Sequence, residues 1–514
     1  MNNTITRKYF PLFQKLSSSP VYLYPFLIVL YFVLHECNAN FGLIPVPFSV
    51  WFAFCYLFVT LVIFLLASWY FNKATKSLLF TALIVIILLF FGAMHDFVKK
   101  LSVPDLFKQY RFWLPFLSAI VIGSIIFLRK SAKEFLSLNR YLFITFGVLC
   151  IWELLHLGFN VVSKENKNNI LFADTSFDKK LHPAYDSTQS SPSIYFIILD
   201  AFTSSSCLKK EFNYDNAGLD SFLTGKGFYI VTNSKSNYPV TPYSIASFLN
   251  FSYLKDEVTA QEMTARDRIR GGTSVGANRL VPYLERKGYN IFNYSIFNLN
   301  GHPVQGADYF YSLKQRMLSG QTLLGRIQRD IFWNVRTFIG QSPKEYHKQM
   351  VKHSNDYIYD KLNGLKAAAG YPSTKPKFVY CHLMLPHGPY IFHRDGTFVQ
   401  DSEQKPADEK KAYLDQLIFA RQLLKSAINT IFKKDTLNKI IVVAGDHGFR
   451  DYGTSDKIPQ TFENLHAIYF YDKNYQSLHD SLTPVNTFRI VLNQYFQEHL
   501  VPLRDTSIFV YDPF

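Results

Sequence analysis

The stretch KIIVVAGDHGFR, residues 439–450, decides the fold of the second part of this 514-residue chain. Its first half is a short, almost wholly apolar run, which predicts a strand buried on both faces of a parallel sheet. The Gly-Asp-His-Gly that follows predicts a tight loop carrying a carboxylate and an imidazole at the carboxyl end of that strand. Ligands of open α/β sheets gather at this edge, so the stretch indicates both a fold and a site.

Five more short apolar runs bounded by turn residues predict further strands: IYFIILD (194–200), GFYIV (227–231), NIFNYS (290–295), FVYCHLML (378–385) and AIYFYD (467–472). Helical patterns lie between them, and the clearest covers residues 409–433, where apolar residues recur every three to four positions. Strands that alternate with helices predict an α/β domain with a largely parallel central sheet over residues 191–514.

The first third of the chain has a different composition, dominated by long apolar stretches at approximately 21–38, 48–71, 78–98, 112–128 and 141–162. Crossing a bilayer takes roughly 20 apolar residues in a helix. We therefore expect an α-helical transmembrane domain of about five helices over residues 21–162, after a tail at 1–20 and before a polar linker at 163–190. No small-residue cleavage site follows the first stretch, so we expect it to be retained.

The distribution of positive charge predicts how these helices are oriented. The tail and the second and fourth loops contain nine Lys and Arg residues, against four in the first and third loops. The richer side is expected to be cytoplasmic, which makes residues 1–20 a cytoplasmic tail. We therefore expect a multi-pass protein of the cell inner (plasma) membrane whose second domain is extracytoplasmic, in the periplasm.

Charge and cysteine content exclude two other classes. The formal net charge is +15, but no basic run is interleaved with aromatic residues, so we expect no nucleic-acid partner. Anionic lipid head groups and membrane orientation account for the charge instead. The five cysteines form no CxxC pair and no even spacing, which argues against a disulfide scaffold.

Six ionisable residues interrupt the apolar stretches, and polar groups at such depth are costly unless they have partners. They form either a site for lipid head groups or hydrogen bonds between helices, and the second interpretation is slightly favoured. These residues are His35, Glu36, His95, Asp96, Glu153 and His156.

Polar residues at predicted strand ends indicate a metal site. Asp446 and His447 follow the strand of the opening stretch, and Asp200 closes IYFIILD. Asp200 by itself could simply cap the next helix, and Gly-Asp-His-Gly could be a structural turn. Together the oxygen and nitrogen ligands predict a divalent metal, Zn²⁺, Mn²⁺ or Mg²⁺.

Two histidines and two hydroxyls are candidates for the remaining chemistry. His387, in a Pro-His-Gly-Pro turn, is predicted to contact a phosphate or sulfate oxygen; His382 is a weaker candidate for substrate or metal binding, because a histidine within a strand is more often a core residue. Thr241 is predicted as the N-cap of a short helix with Pro242 at its first position. A hydroxyl there lies where anions are favoured, and a metal would activate it as a nucleophile. Ser244, one turn on, is the alternative.

The order strand–Asp200, Thr241, Pro-His turn, Gly-Asp-His-Gly resembles the alkaline phosphatase/sulfatase superfamily over roughly residues 190–475. VTPYSIASFLN looks like the sulfatase signature Cys-x-Pro-Ser-Arg-x-x-Leu-Leu-Thr-Gly, with Thr241 at the nucleophile position. The signature's Arg is replaced by Ile245, and its usual paired acids by Asp200-Ala201. The resemblance implies that Asp200, Thr241, Asp446 and His447 bind the metal and that His387 contacts the transferred group.

Sulfatases convert Cys or Ser to formylglycine, which threonine cannot become. The sequence is therefore more similar to the membrane phosphoethanolamine transferases and lipoteichoic acid synthases, which use a threonine nucleophile. This resemblance implies a metal-dependent transferase that moves a phosphoethanolamine or phosphoglycerol group from a membrane lipid donor to a glycan or lipid acceptor in the cell envelope. The alternatives are a sulfatase-like hydrolase of sulfate or phosphate esters and a scaffold without activity.

Overall fold

The computed structural model describes residues 23–41, 43–163, 171, 191–255, 263–306, 317–331, 343–399, 408–450 and 455–511. The chain divides into a helical unit, Met1–Asn169 with Ser312–Gly340, and an α/β unit, Ile170–Tyr311 with Gln341–Phe514. The predicted tail at 1–20 and nearly all of the predicted linker at 163–190 lie outside the described residues, so the proposed domain boundaries stay predictions.

The secondary structure follows the order that the sequence predicts. The helices are α1 (Tyr24–Ala39), α2 (Val46–Phe71), α3 (Ala74–Lys100), α4 (Tyr110–Lys130), α5 (Leu136–Ser163), α6 (Ser205–Phe212), α7 (Ala217–Gly225), α8 (Thr241–Asn250), α9 (Ala265–Gly276), α10 (Leu280–Arg286), α11 (Leu323–Asp330), α12 (Pro343–Ala369), α13 (Glu409–Lys434) and α14 (Pro484–Phe496). The strands are β1 (Ser193–Leu199), β2 (Tyr229–Ile230), β3 (Asn290–Tyr294), β4 (Lys377–Leu383), β5 (Lys439–Gly445) and β6 (His466–Phe470).

Helices α2 to α5 are long and apolar enough to cross a membrane, and α1 is an apolar helix of 16 residues. All five predicted stretches are therefore helical, although α1 is shorter than the other four. Large apolar side chains remain exposed along α2, among them Trp51, Phe54, Phe58 and Leu66, each about 60% exposed. A contiguous apolar surface of this kind is rare on a protein surrounded by water, so it indicates contact with lipid.

Polar residues within these helices have partners. His35 Nδ1 lies 2.8 Å from Glu153 Oε1, and the Asn38 amide donates to Glu153 Oε2 over 2.6 Å. Asp96 on α3 forms a two-pronged ion pair with Arg326 of α11, with 2.8 Å between Oδ1 and Nη1. For His35, Asp96 and Glu153 the structure supports the interpretation in which polar residues join helices.

The Arg326 contact belongs to a segment that the sequence analysis did not anticipate in the helical unit. Ser312–Gly340 lies in the second half of the sequence but groups with α1 to α5. The main-chain N–H of Gly92 donates to the Gln321 carbonyl over 2.8 Å, and Leu318 is fully buried among the apolar residues of the helices. A Cβ on Gly92 would lie 2.6 Å from the Gln321 carbonyl oxygen, so the close approach requires glycine there.

The α/β unit is built on a six-stranded sheet in the order β2-β6-β5-β1-β4-β3. The four strands β5, β1, β4 and β3 are parallel, whereas β6 runs antiparallel to β5 and β2 antiparallel to β6. All six predicted strands are present, and the predicted mostly parallel sheet is confirmed. All five cysteines are free.

Strand β1 shows why the runs are almost continuously apolar. Ile194, Phe196 and Ile198 face one core with Phe248 of α8, whereas Tyr195, Ile197 and Leu199 face a second core with Leu424 of α13. Every β1 residue is buried, so neither face of the sheet is left to water. The polar residues that follow β1, β4 and β5 therefore lie where the buried sheet first opens toward its edge.

Candidate metal and nucleophile site

Asp200, Asp446 and His382 lie at or near the carboxyl ends of three neighbouring parallel strands, at one edge of the sheet. Leu199, the last residue of β1, pairs with Gly445, the last residue of β5, so Asp200 and Asp446 follow adjacent strands at the same level. On the other side of β1, Ile198 pairs with His382 of β4. The register itself brings together residues that lie far apart in the sequence.

Asp446 and His447 each present one satisfied and one unsatisfied atom. Asp446 Oδ1 accepts the main-chain N–H groups of Ala201 and His447, each over 2.9 Å, and Oδ2 has no hydrogen-bond partner among the residues that the structure describes. His447 Nδ1 donates to the Gly448 carbonyl over 2.8 Å, because a carbonyl oxygen only accepts. The proton is thereby fixed on Nδ1, and the lone pair on Nε2 has no donor within the described part of the chain.

Asp200 contributes the third such atom, since its Oδ1 is buried and no described residue forms a hydrogen bond with it. His447 Nε2 lies 3.8 Å from this Oδ1 and 3.5 Å from Asp446 Oδ2, and all three atoms lie within 4.8 Å of one another. Two ligand atoms on a tetrahedral zinc ion lie about 3.4 Å apart. Two buried carboxylates without a counter-ion are costly. The donor set therefore fits a divalent cation held by Asp200, Asp446 and His447.

The electrostatics of the site keep these atoms in the state that a cation requires. Burial acts to raise the pKa of Asp200, but His387, His382 and His447 outweigh it, so that pKa is lowered and the carboxylate stays ionised. Burial lowers the pKa of His447, so its ring stays neutral. Ionised carboxylates and a neutral imidazole are the forms that bind metal.

Thr241 lies beside this cluster. Its hydroxyl donates to Asp200 Oδ2 over 3.5 Å, and its side chain is partly exposed, whereas the rest of α8 is buried. The predicted cap is wrong by one position: Val240 is the N-cap, and Thr241 and Pro242 begin the helix. The Thr241 side chain makes no capping bond because its hydroxyl points to Asp200 instead.

Ser244, the alternative nucleophile, has a different environment. It is fully buried, and its hydroxyl donates to the Asp446 carbonyl over 2.5 Å. The contact holds the loop that carries Asp446 and His447, and the buried hydroxyl is not accessible to a substrate. The same loop needs its glycines, because a Cβ on Gly445 would lie 2.2 Å from the Phe202 carbonyl oxygen and one on Gly448 2.4 Å from that of Gln460.

His382 lies behind Asp200. It is completely buried, with Nε2 3.3 Å from Asp200 Oδ2 and Nδ1 3.2 Å from the Tyr380 hydroxyl. The Asp200 carboxylate accepts a hydrogen bond from Nε2–H, and the Tyr380 hydroxyl donates to Nδ1. Both ring nitrogens of His382 therefore have hydrogen-bond partners. This position suits a residue that orients Asp200, and the predicted substrate contact of His382 stays a prediction. Nothing in the sequence pattern pointed to Tyr380.

His387 lies at the edge of the cluster. Its main-chain N–H donates to the Asp200 carbonyl over 3.1 Å, its Nδ1 donates to the Gly388 carbonyl over 2.6 Å, and its Nε2 lies 3.0 Å from Arg450 Nη2. Arg450 was missed by the sequence analysis, although it is the last residue of the opening stretch and follows His447 by three positions. A cation so close to two ligand residues was the available signal.

Comparisons with known proteins cover most of the chain. The family model described as Sulfatase matches residues 197–494, more than half of the sequence. Similar solved structures include the periplasmic domain of EcEptC from Escherichia coli in complex with Zn (12% identity, TM-score 0.39, 64% of this chain and 92% of that one). They also include lipooligosaccharide phosphoethanolamine transferase A from Neisseria meningitidis (10%, 0.35, 93% and 95%) and a 2-O GAG sulfatase (12%, 0.38, 62% and 73%). No curated protein sequence matches significantly.

Proposed function

This chain belongs to the sulfatase family and is an enzyme that acts on phosphate or sulfate esters, and we propose that it is a metal-dependent membrane transferase of phospho groups. It would move a phosphoethanolamine or phosphoglycerol group from a membrane lipid to a glycan or lipid of the cell envelope, on the periplasmic side of the inner membrane. The observation that carries the proposal is the partly exposed Thr241 hydroxyl beside three convergent, unsatisfied ligand atoms.

Thr241 is the proposed nucleophile. Its Oγ1 loses its proton and forms a bond to the lipid phosphorus as the bond from phosphorus to the diacylglycerol oxygen breaks, and the leaving oxygen takes up a proton to give diacylglycerol. In the second step an acceptor hydroxyl loses its proton and its oxygen bonds to the same phosphorus as the bond from phosphorus to Oγ1 breaks, and Oγ1 takes up a proton to restore the threonine hydroxyl. Asp200 accepts the hydrogen bond of Thr241 and so aims the hydroxyl before reaction.

Asp200, Asp446 and His447 would hold the metal, with Thr241 as the fourth ligand that the sequence predicts. A bound divalent cation supplies charge stabilisation at the phosphoryl oxygens and acidifies a nearby hydroxyl. Ser244 and the main-chain N–H groups of Ala201 and His447 fix the ligand loop. The direct contact of His387 with the transferred group stays a prediction of the resemblance, because in the structure its Nδ1 donates to the Gly388 carbonyl and its Nε2 accepts from Arg450.

Two features favour a lipid phosphodiester over a sulfate ester. Threonine retains its hydroxyl and cannot become formylglycine, the group on which the sulfatases of the resemblance depend. Four helices of the helical unit are long and apolar enough to span a membrane, which would hold the enzyme where lipid donors are concentrated. Hydrolysis of phosphate or sulfate esters remains the second candidate, because water could take the place of the acceptor hydroxyl.

The proposal is tested with full-length protein in liposomes that contain a lipid labelled in its head group, together with envelope glycolipid. Label that moves to the glycolipid supports transfer, and label released only into water supports the hydrolase. Thr241→Val should abolish either reaction, and Thr241→Ser should keep part of it, because a hydroxyl remains.

Thr430→Ala is the matched control, because this threonine is partly exposed on α13, as Thr241 is on α8, and donates only to the Ser426 carbonyl in the described contacts. It should leave the rate unchanged. Full activity of Thr241→Val would contradict the role of the threonine.

A further inference from the structure

Arg450 and His387 meet at the edge of the candidate site. They lie in the loops that follow β5 and β4, the two strands on either side of β1, and Nη2 of Arg450 is 3.0 Å from Nε2 of His387. The main-chain N–H of His387 donates to the carbonyl of Asp200 over 3.1 Å. The guanidinium is therefore held next to the residues that surround the proposed nucleophile.

The partners of the His387 ring fix which atom donates. A carbonyl oxygen only accepts, so Nδ1 carries the proton that goes to Gly388. A guanidinium only donates, so Nε2 accepts from Arg450. His387 in this state is an acceptor that orients one edge of the guanidinium.

Gln416 of α13 holds the His387 turn in place. Its side chain is completely buried, and its Nε2 donates to the carbonyls of His387 and Pro386 over 2.9 and 3.2 Å. Its Oε1 accepts the N–H of Ile391 over 2.9 Å. A turn anchored at both sides presents the histidine, and through it the guanidinium, with little freedom, which favours selective binding.

The chemistry of the site calls for a cation at this position. A phosphodiester is anionic, and two carboxylates already lie at the site. The signature that this sequence resembles has an arginine where Ile245 stands, and Ile245 is fully buried in the core. Residues Thr241–Ile245 contain no Lys or Arg, so the first turn of α8 has no positively charged side chain.

We propose that Arg450 binds the phosphoryl group of the substrate through its non-bridging oxygens, and that His387 holds the guanidinium in position for it. This inference rests on the proposed transfer of a phospho group. The planar fork of arginine matches two oxygens of a tetrahedral oxyanion and keeps its charge at every working pH.

The test measures binding of inorganic phosphate to the full-length, metal-loaded protein by isothermal titration calorimetry, without turnover. Arg450→Met should weaken phosphate binding by about 10- to 100-fold, the loss expected for a charged hydrogen-bond donor. Arg450→Lys keeps the charge without the fork and should fall between the two. Arg504→Met removes an exposed arginine elsewhere in the α/β unit and should bind phosphate like the wild type. Metal content is measured in parallel.

Phosphate affinity of Arg450→Met within threefold of the wild type would overturn the inference, as would equal losses in Arg450→Met and Arg504→Met. If Arg450→Met fails to fold, Arg450→Lys decides: affinity reduced several-fold at unchanged metal content supports the inference, and unchanged affinity overturns it. A covalent adduct on Thr241 is scored separately. If the adduct forms but the Arg450 variants bind phosphate normally, transfer is supported and this subsite is refuted. If the Arg450 variants bind phosphate weakly but no adduct forms, the subsite is supported and transfer is refuted.

Discussion

Replacing Asp446 by Asn should separate metal binding from folding. In the structure Oδ1 accepts two main-chain N–H groups over 2.9 Å, and Oδ2 lies 3.5 Å from His447 Nε2 with no hydrogen-bond partner in the described ranges of the chain. An asparagine oxygen can keep both N–H contacts, which places the amide nitrogen at the position of Oδ2. An amide NH₂ does not bind a cation, so the variant loses one ligand and one negative charge without losing the loop contacts.

The magnitude follows from linkage between binding and stability. A metal present at 100 times its Kd stabilises the folded state by about 2.7 kcal/mol. At about 2–4 °C per kcal/mol for domains of 150–250 residues, the wild-type protein should melt about 5–10 °C higher with metal than after treatment with a chelator. Asp446→Asn should show almost none of this rise, and its metal-free free energy of unfolding should match that of the wild type to within about 1 kcal/mol.

The assay is thermal unfolding of chelator-treated, full-length protein in detergent, with Zn²⁺ or Mn²⁺ added in steps. Asp215→Asn is the control, because Asp215 is exposed and its Oδ1 accepts the N–H of Ala217, a contact that asparagine keeps. A full metal-dependent rise in Asp446→Asn would refute the assignment of the ligand atoms. The same conclusion would follow if the wild type showed no rise with either metal.

Three further changes have defined outcomes. Gly448→Ala should lower the free energy of unfolding by about 1–3 kcal/mol and also lower the metal content, because the new Cβ would lie 2.4 and 2.5 Å from two main-chain carbonyl oxygens. Thermal unfolding and elemental analysis measure the two effects. Gly218→Ala is the control, because the nearest described atom outside its own neighbours would lie 3.9 Å from the new Cβ. Asp96→Asn should destabilise the helical unit by about 1–3 kcal/mol, because it leaves the buried Arg326 without its carboxylate. The double variant Asp96→Asn with Arg326→Met removes that unpaired charge, so it should be more stable than Asp96→Asn in thermal unfolding in detergent. Burial lowers the pKa of His466 from 6.5 to about 4, so the unfolded chain takes up this proton first, and stability should fall as pH drops from 6.5 to 4. His466→Gln should reduce that fall, and equal pH slopes in urea unfolding of the two proteins would contradict it.

The strands and helices were predictable because their signals are local. β1 and β5 are buried on both faces, so their sequences are nearly unbroken apolar runs. The candidate ligands were predictable for a related reason. The carboxyl ends of parallel strands meet at one edge, so Asp200 and Asp446 had to lie close together once both strands joined the same sheet.

The parts that were missed depend on contacts between distant segments. No hydrophobic or charge pattern in Ser312–Gly340 predicts that this segment packs with the apolar helices, because the grouping depends on contacts between distant residues such as Arg326 and Asp96. The sequence favours Thr241 over Ser244 as the nucleophile, and that choice stays a prediction. The structure adds how the two hydroxyls differ: Thr241 is partly exposed and donates to the Asp200 carboxylate, whereas Ser244 is buried and donates to a main-chain carbonyl.

The central claim is that the hydroxyl of Thr241 becomes bonded to the phosphorus of the donor. The most direct measurement is peptide mass spectrometry of metal-loaded, full-length protein after incubation with donor lipid and without acceptor. We expect an added mass equal to the phospho head group on the peptide that contains Thr241, absent from Thr241→Val and lost when acceptor is added. An unmodified Thr241 peptide under turnover, or an adduct on Ser244 instead, would contradict it.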